Sequence, residues 1–270
     1  MKKLFIIPLL MLLCLPMPAQ RLTILHTNDT HSHLDPLRDG TGGIIERAAF
    51  VDSVRTADGR RHVLLLHAGD FNQGSSYYTI LKGELEVDIL NAMKYDCICF
   101  GNHEFDNGIE DLTRRVRRIR PEIVCCNYDF SPFELGQYVK PCTIIRRGGM
   151  KIGIIGALCD ITTVVSREIS DRIPQLDTVT EVNRWASWLK DEQKCDLVIL
   201  LSHLGYKGQG KFPSDCSIVG QTRGVDIIVG GHSHTLLKKM DESHADADGH
   251  IVPIVQDGSW GLQMGVLKIY

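Results

Sequence analysis

Leu22-Thr23-Ile24-Leu25-His26-Thr27-Asn28-Asp29-Thr30-His31 decides the fold. An apolar run of strand length passes without a break into a loop of histidine, asparagine and aspartate. The pattern returns four more times. Residues 63–66 lead into His67-Ala68-Gly69-Asp70, and residues 97–100 into Gly101-Asn102-His103-Glu104. Residues 197–201 lead into Ser202-His203, and residues 227–229 into Gly230-Gly231-His232-Ser233-His234. Runs rich in Val, Ile and Leu suit strands covered on both faces.

Two further runs, 123–126 and 152–155, complete the set. Amphipathic stretches lie between the runs. Ile44, Ile45, Ala48, Ala49 and Val51 open one, and Leu85, Ile89, Leu90 and Met93 mark a second. Ile109, Leu112 and Val116 mark a third, and Val179, Val182, Trp185 and Leu189 a fourth. Strands alternating with helices predict an α/β fold. Residues 143–145 and 151–155, joined through Gly148-Gly149, predict a hairpin, and 252–255 and 264–270 predict two closing strands. No repeat, low-complexity tract or linker follows residue 20, so one domain over 20–270 is expected. The third helix is expected to carry Arg114, Arg115, Arg117 and Arg118 on a solvated face rather than as an anion site.

The chain has 270 residues with 30 Lys+Arg against 33 Asp+Glu, a formal net charge of -3. That balance excludes a strongly basic nucleic-acid surface. The 43% hydrophobic and 23% charged content excludes a disordered chain. Lys2 and Lys3, an apolar run over 4–15 and the exit Pro16-Met17-Pro18-Ala19 describe a secretory signal over 1–19, cleaved after Ala19. The run is short for a membrane span. No other is long enough, so an exported, periplasmic-type protein without a membrane span is expected. Export permits disulfides. Yet Cys97 and Cys99 alternate in one apolar run, and Cys125 and Cys126 are adjacent in another. Cysteines placed this way read as small buried hydrophobes. No C-x-x-C pair offers a thiolate zinc site.

In open α/β sheets a site forms beyond the carboxyl ends of the strands. Folding therefore gathers the five polar loops. Asp29, His31, Asp70, Asn102, His203, His232 and His234 form a mixed oxygen and nitrogen set. Such a set suits Zn, Mn, Fe or Co better than Mg or Ca. It is too large for one tetrahedral ion and suits two divalent ions with a bridging carboxylate. Such a pair, roughly 3.5–4 Å apart, can clamp the attacking and departing oxygens of a phosphoryl group and activate water.

Asp29-x-His31, Gly69-Asp70, Gly101-Asn102-His103-Glu104, His203 and Gly231-His232-Ser233-His234 together resemble the calcineurin-like metallophosphoesterase signature. The longer strings, 26–33, GNHEFDNG at 101–108 and GGHSHT at 230–235, look like the bacterial 5'-nucleotidase/UDP-sugar hydrolase family. The resemblance covers about residues 21–270. It implies a four-layer α/β/β/α sandwich with two mixed sheets. It implies that Asp29, His31, Asp70 and His234 hold one metal, and that Asp70, Asn102, His203 and His232 hold the other. It gives His103 a catalytic contact with phosphate and Asp106 the orienting of His103. The implied reaction is metal-dependent hydrolysis of phosphomonoesters of the 5'-nucleotidase type. Cleavage of diesters or 2',3'-cyclic nucleotides, and a metal-binding subunit silent without a partner, are the alternatives.

That family's bacterial members carry a second domain that stacks on the base and holds the phosphate with arginines. The sequence ends where the catalytic domain of the resemblance ends. The expectation is an open site for a nucleotide or other small phosphoester, with a separate substrate-binding protein as a candidate partner. Weak discrimination among bases is expected, because the aromatic residues (7%) mostly fall where a core would use them. Tyr77 and Tyr78 follow the Asp70 loop and are read as the start of a packed helix, with the site as the alternative. Residues 205–211 (GYKGQGK) read as a surface loop beyond His203. His33 is set aside in favour of His31, and Glu104 reads as structural rather than as a general base. His67 is a candidate to support the ligands from behind. His62, His244 and His250 read as surface residues.

Overall fold

The computed structural model describes residues 21–163, 165–208 and 212–270. The expected signal segment and residues 209–211 of the 205–211 loop lie outside the described residues. The first half comprises β1 (Leu22–Thr27), α1 (Ile44–Asp58), β2 (Val63–Ala68), α2 (Ser76–Leu81), α3 (Glu84–Met93), β3 (Cys97–Cys99), α4 (Gly108–Val116) and β4 (Glu122–Val124). The second half comprises β5 (Cys142–Arg147), β6 (Met150–Leu158), α5 (Arg167–Ser170), α6 (Thr178–Ser187), β7 (Leu197–His203), α7 (Asp215–Ile218), β8 (Ile227–Val229), β9 (Ile254–Val255) and β10 (Gly265–Ile269).

Among the described residues the strands form two five-stranded sheets, ordered β10-β1-β2-β3-β4 and β5-β6-β7-β8-β9. Each is parallel apart from one antiparallel partner, β10 beside β1 and β5 beside β6. Both sheets are therefore mixed. The hairpin and the closing strands are where the sequence places them.

Alternation along each strand builds the layers, because successive side chains point to opposite faces. Leu22, Ile24, Leu64 and Leu66 of the first sheet meet Ile152, Ile154, Ile199 and Val229 of the second. Leu25, Leu65 and Ile98 point the other way, onto Val51, Leu90, Ile109 and Leu112 of the first helical layer. Ile155, Val198 and Ile228 face Val182, Ala186 and Ile218 on the far side. The result is a four-layer helix–sheet–sheet–helix sandwich. The inner strands are apolar on both faces, hence the continuous runs in the sequence.

The helices mostly follow the expected stretches, with one exception. Arg114, Arg117 and Arg118 are solvent-exposed and paired with Glu84, Asp111, Glu134 and Asp88. Arg115 is fully buried. It stands three residues after Leu112, so it shares the face of α4 that packs inward. Its Nε donates to Asp111 at 2.9 Å and its Nη2 to the carbonyl of Glu104 at 2.9 Å. Tyr77 and Tyr78 lie on α2: Tyr78 is buried and accepts from Asn107, while Tyr77 donates to Asp35.

Candidate metal centre

The site lies where both sheets end. Asp29 and His31 follow β1, Asp70 follows β2, Asn102 and His103 follow β3, His203 closes β7, and His232 and His234 follow β8. Five of these residues sit in the left-handed backbone region: Asp29 (φ 46°), His31 (46°), Asp70 (55°), His232 (74°) and His234 (52°). That conformation is costly for residues with a Cβ, and such strain gathers at functional sites. Gly101 shows why the chain turns as it does. A Cβ there would collide with Asp70 Oδ1 and come to 2.6 Å from His203 Nε2.

Asp29, His31 and His234 present their ligand atoms within 4.8 Å of one another, as do Asp70, His203 and His232. His31 Nε2 is 2.9 Å from His234 Nε2, which is 3.4 Å from Asp29 Oδ1. His203 Nε2 is 3.1 Å from Asp70 Oδ2. Asp70 also reaches the first group, with His31 Nε2 at 3.9 Å. Asn102 lines the same cleft, and its Oδ1 accepts a contact from Cys159 Sγ at 3.6 Å. All seven sequence-predicted ligands thus converge from both sheets.

The donor set fits divalent cations. His203 Nδ1 faces the carbonyl of Ala68 at 2.7 Å. A carbonyl only accepts, so Nδ1 carries the proton and Nε2 is left a lone pair. That lone pair is fully buried without a hydrogen-bond partner and faces a carboxylate oxygen. His31 repeats the arrangement: Nδ1 lies 3.2 Å from the carbonyl of Asn72, which turns the Nε2 lone pair inward. Converging acceptors in a dry site require a cation or a proton between them. Burial works against charge on His203, yet the nearby Asp70 and Asp29 carboxylates push its pKa up to about 10, so the site draws a cation, a proton included, onto the Nε2 lone pair. Burial and the His203 charge lower His232 to about 4, which leaves a neutral imidazole, the form that ligates.

His103 stands at the same cleft. Its backbone N–H donates to Asp70 Oδ1 at 2.9 Å, and its Nδ1 pairs with Asp106 Oδ2 at 3.0 Å. Nε2 is then the ring atom left for the cleft. Glu104 points away from the cleft. Its carboxylate accepts N–H bonds from Asp70, Phe71, Asn72 and Gly101, at 2.6–3.2 Å. It thereby clamps the β2 and β3 loops together, as a structural residue.

The remaining histidines separate by contact. His33 lies outside both ligand groups, where its Nδ1 meets the carbonyl of His31 at 2.8 Å. His67 is buried against Thr30, Phe71 and Tyr95, and burial lowers its pKa to about 3. It supports the Thr30 turn rather than a ligand side chain. His26 pairs with Asp257. Sequence reasoning missed two residues. Asn28 donates to Asp29 Oδ2 at 2.7 Å and to the carbonyl of Gly258, and accepts from Asp257 N–H. Trp260 lines the cleft from the loop before β10. Nothing in its sequence setting singled it out.

Residues 22–236 match the family model described as calcineurin-like phosphoesterase. The chain belongs to that family. It is 32% identical over 273 residues to a snake venom 5'-nucleotidase of Naja atra, covering 92% of this chain and 50% of the relative. Among solved structures it resembles a 5'-nucleotidase precursor from Thermus thermophilus, with a TM-score of 0.81, 30% identity and coverage of 92% and 51%. It also resembles a Haemophilus influenzae NAD nucleotidase, with a TM-score of 0.78, 26% identity and coverage of 92% and 46%. The chain spans about half the length of these relatives. It is a phosphoester hydrolase by family, and the metallophosphoesterase fold is the four-layer sandwich described above.

Proposed function

We propose that this chain hydrolyses phosphomonoesters of the 5'-nucleotide type with two divalent ions, as an exported enzyme. The observation that carries the reading is the convergence of two three-residue ligand groups from both sheets, with the buried His203 Nε2 facing Asp70 in one of them. The 5'-nucleotidases among its relatives support the substrate class. The basic and apolar segment over 1–19 supports export.

Asp29, His31, Asp70 and His234 would hold one ion, and Asp70, Asn102, His203 and His232 the other. The chemistry that divalent ions supply there is Lewis acidity, with water of lowered pKa and neutralised phosphoryl charge. The residues do the rest. Ala68 and Asn72 carbonyls fix the tautomers of His203 and His31, so that Nε2 of each ring faces inward. Asp70 is positioned by its own N–H on Glu104 and by the His103 N–H on Oδ1. Asp106 holds His103 with Nδ1–H engaged, so the proton it gives to the departing ester oxygen leaves from Nε2. A P–O bond forms to water as the ester P–O bond breaks, and phosphate and the alcohol are the products.

The test is phosphate release from nucleoside monophosphates by the chain loaded with Mn, Zn or Co. Metal-dependent turnover is expected. Absence of metal-dependent release from every phosphomonoester offered overturns the reading.

A further inference from the structure

The cleft that holds the candidate ligands is about 460 Å³, and Trp260 and His33 form part of its wall. Their rings stack, with centroids 4.5 Å apart and 9° between planes. Trp260 remains 41% exposed, a large apolar surface left beside a strongly polar centre. An exposed tryptophan forgoes much of the burial its side chain could gain. Its backbone is also held in the left-handed region, at φ 63°.

Hydrogen bonds hold the backbone on either side of the pair. The backbone N–H of Trp260 donates to the carbonyl of Asp29 at 2.7 Å, which ties the Trp260 backbone to that of a candidate ligand. The carbonyl of His33 accepts from Arg47 Nη2 at 2.7 Å, and His33 Nδ1 meets the carbonyl of His31. Arg47 is buried, and its guanidinium lies against Gly261, where any Cβ would collide with it. A rigid aromatic face beside a catalytic centre is what a stacking subsite requires, since little ordering remains to be done on binding.

We infer that Trp260, backed by His33, is a stacking subsite within this chain for planar aromatic groups esterified to phosphate, such as a nucleobase or an aryl ring. The inference rests on the phosphomonoesterase reading for its substrate, but not for its geometry. It adds an aromatic surface that the sequence-based expectation of weak discrimination among bases did not count. The polar centre takes the phosphoryl end, and the indole takes the leaving group's ring.

Two measurements on the full chain test it. The first compares kcat/KM for AMP and p-nitrophenyl phosphate with that for glycerol 2-phosphate, which has no ring. Trp260→Ala is expected to lower the aromatic-to-aliphatic ratio about tenfold, mainly through KM, as loss of one stacking contact does. Trp260→Phe is expected to restore most of the ratio. An unchanged ratio in Trp260→Ala overturns the subsite while leaving the phosphatase reading intact. The second is equilibrium dialysis with adenosine, which needs neither metal nor turnover. Wild type is expected to bind adenosine about tenfold more tightly than Trp260→Ala. Adenosine binding lost in the variant, in a protein that hydrolyses no ester, supports the subsite and removes the phosphatase reading. No adenosine binding by wild type, or equal binding by both proteins, overturns the subsite.

Discussion

His103 and Asp70 touch through one hydrogen bond, yet the roles proposed for them differ, and removing each distinguishes them. His103 meets Asp70 by its backbone, so His103→Ala keeps that bond and deletes only the imidazole. Turnover should fall roughly 100-fold or more, the scale of a lost general acid, with metal content unchanged. Asp70→Ala removes the carboxylate that reaches both ligand groups, and elemental analysis should show metal lost. Metal depletion in His103→Ala equal to that in Asp70→Ala would reverse the assignment. The convergence of the seven candidate ligands was legible because loops after parallel strands share one end of a sheet, but His26 and His67 stand at such strand ends too and turn to Asp257 and Thr30, so residue type alone did not sort them. Trp260 and Asn28 were not legible. An aromatic or an asparagine in a loop has many uses, and only the folded chain shows what it faces.

Helix α4 carries the lesson at the scale of elements. Its arginines look alike in sequence, but the helical period divides them. Arg114 is half exposed and its ion pairs are screened by water. Arg115 is buried, with Asp111 and the Glu104 carbonyl as its partners. Urea denaturation should show Arg114→Ala costing less than about 1 kcal/mol. Arg115→Ala, which leaves Asp111 and a buried carbonyl without their donor, should cost about 3–5 kcal/mol. Similar losses for the two variants would mean that burial does not govern this cluster. The strands were legible because alternation is suppressed when both faces are covered. Arg115 was misplaced because charge was read as exposure without checking its spacing from Leu112. The cysteines obey the same rule of burial. Among the described residues Cys97, Cys99, Cys125, Cys126, Cys142, Cys159 and Cys195 are free and buried, and Cys216 is partly exposed. Burial pushes the Cys125 and Cys142 thiols up to about 12 and Cys216 up to about 11, so access to solvent rather than thiolate content separates them. At pH 8, mass spectrometry after treatment with a thiol reagent should find Cys216 labelled and the buried set labelled only in denaturant. Rapid labelling of Cys125 in the native protein would contradict this packing.

At the scale of the whole molecule the centre is also a joint between the sheets. Asp29, His31, Asp70 and Asn102 come from loops of the first sheet, and His203, His232 and His234 from the second. Away from this end the sheets meet through apolar side chains of the inner layer. Here they meet through carboxylates and imidazoles that converge on one buried space, an arrangement that draws a cation, proton or metal, between them. Ions bound there would hold the two sheets together at their carboxyl ends, so binding energy becomes folding energy. Free metal at a hundredfold excess over Kd adds about 2.7 kcal/mol to a fold that alone binds it. Thermal unfolding of the chain stripped with chelator should therefore shift upward by several degrees when Mn or Zn is restored. Asp70→Ala, lacking the carboxylate that serves both groups, should show little of that rise. A wild-type Tm indifferent to metal, or an Asp70→Ala chain stabilised as much as wild type, would separate the centre from the fold and confine its role to chemistry.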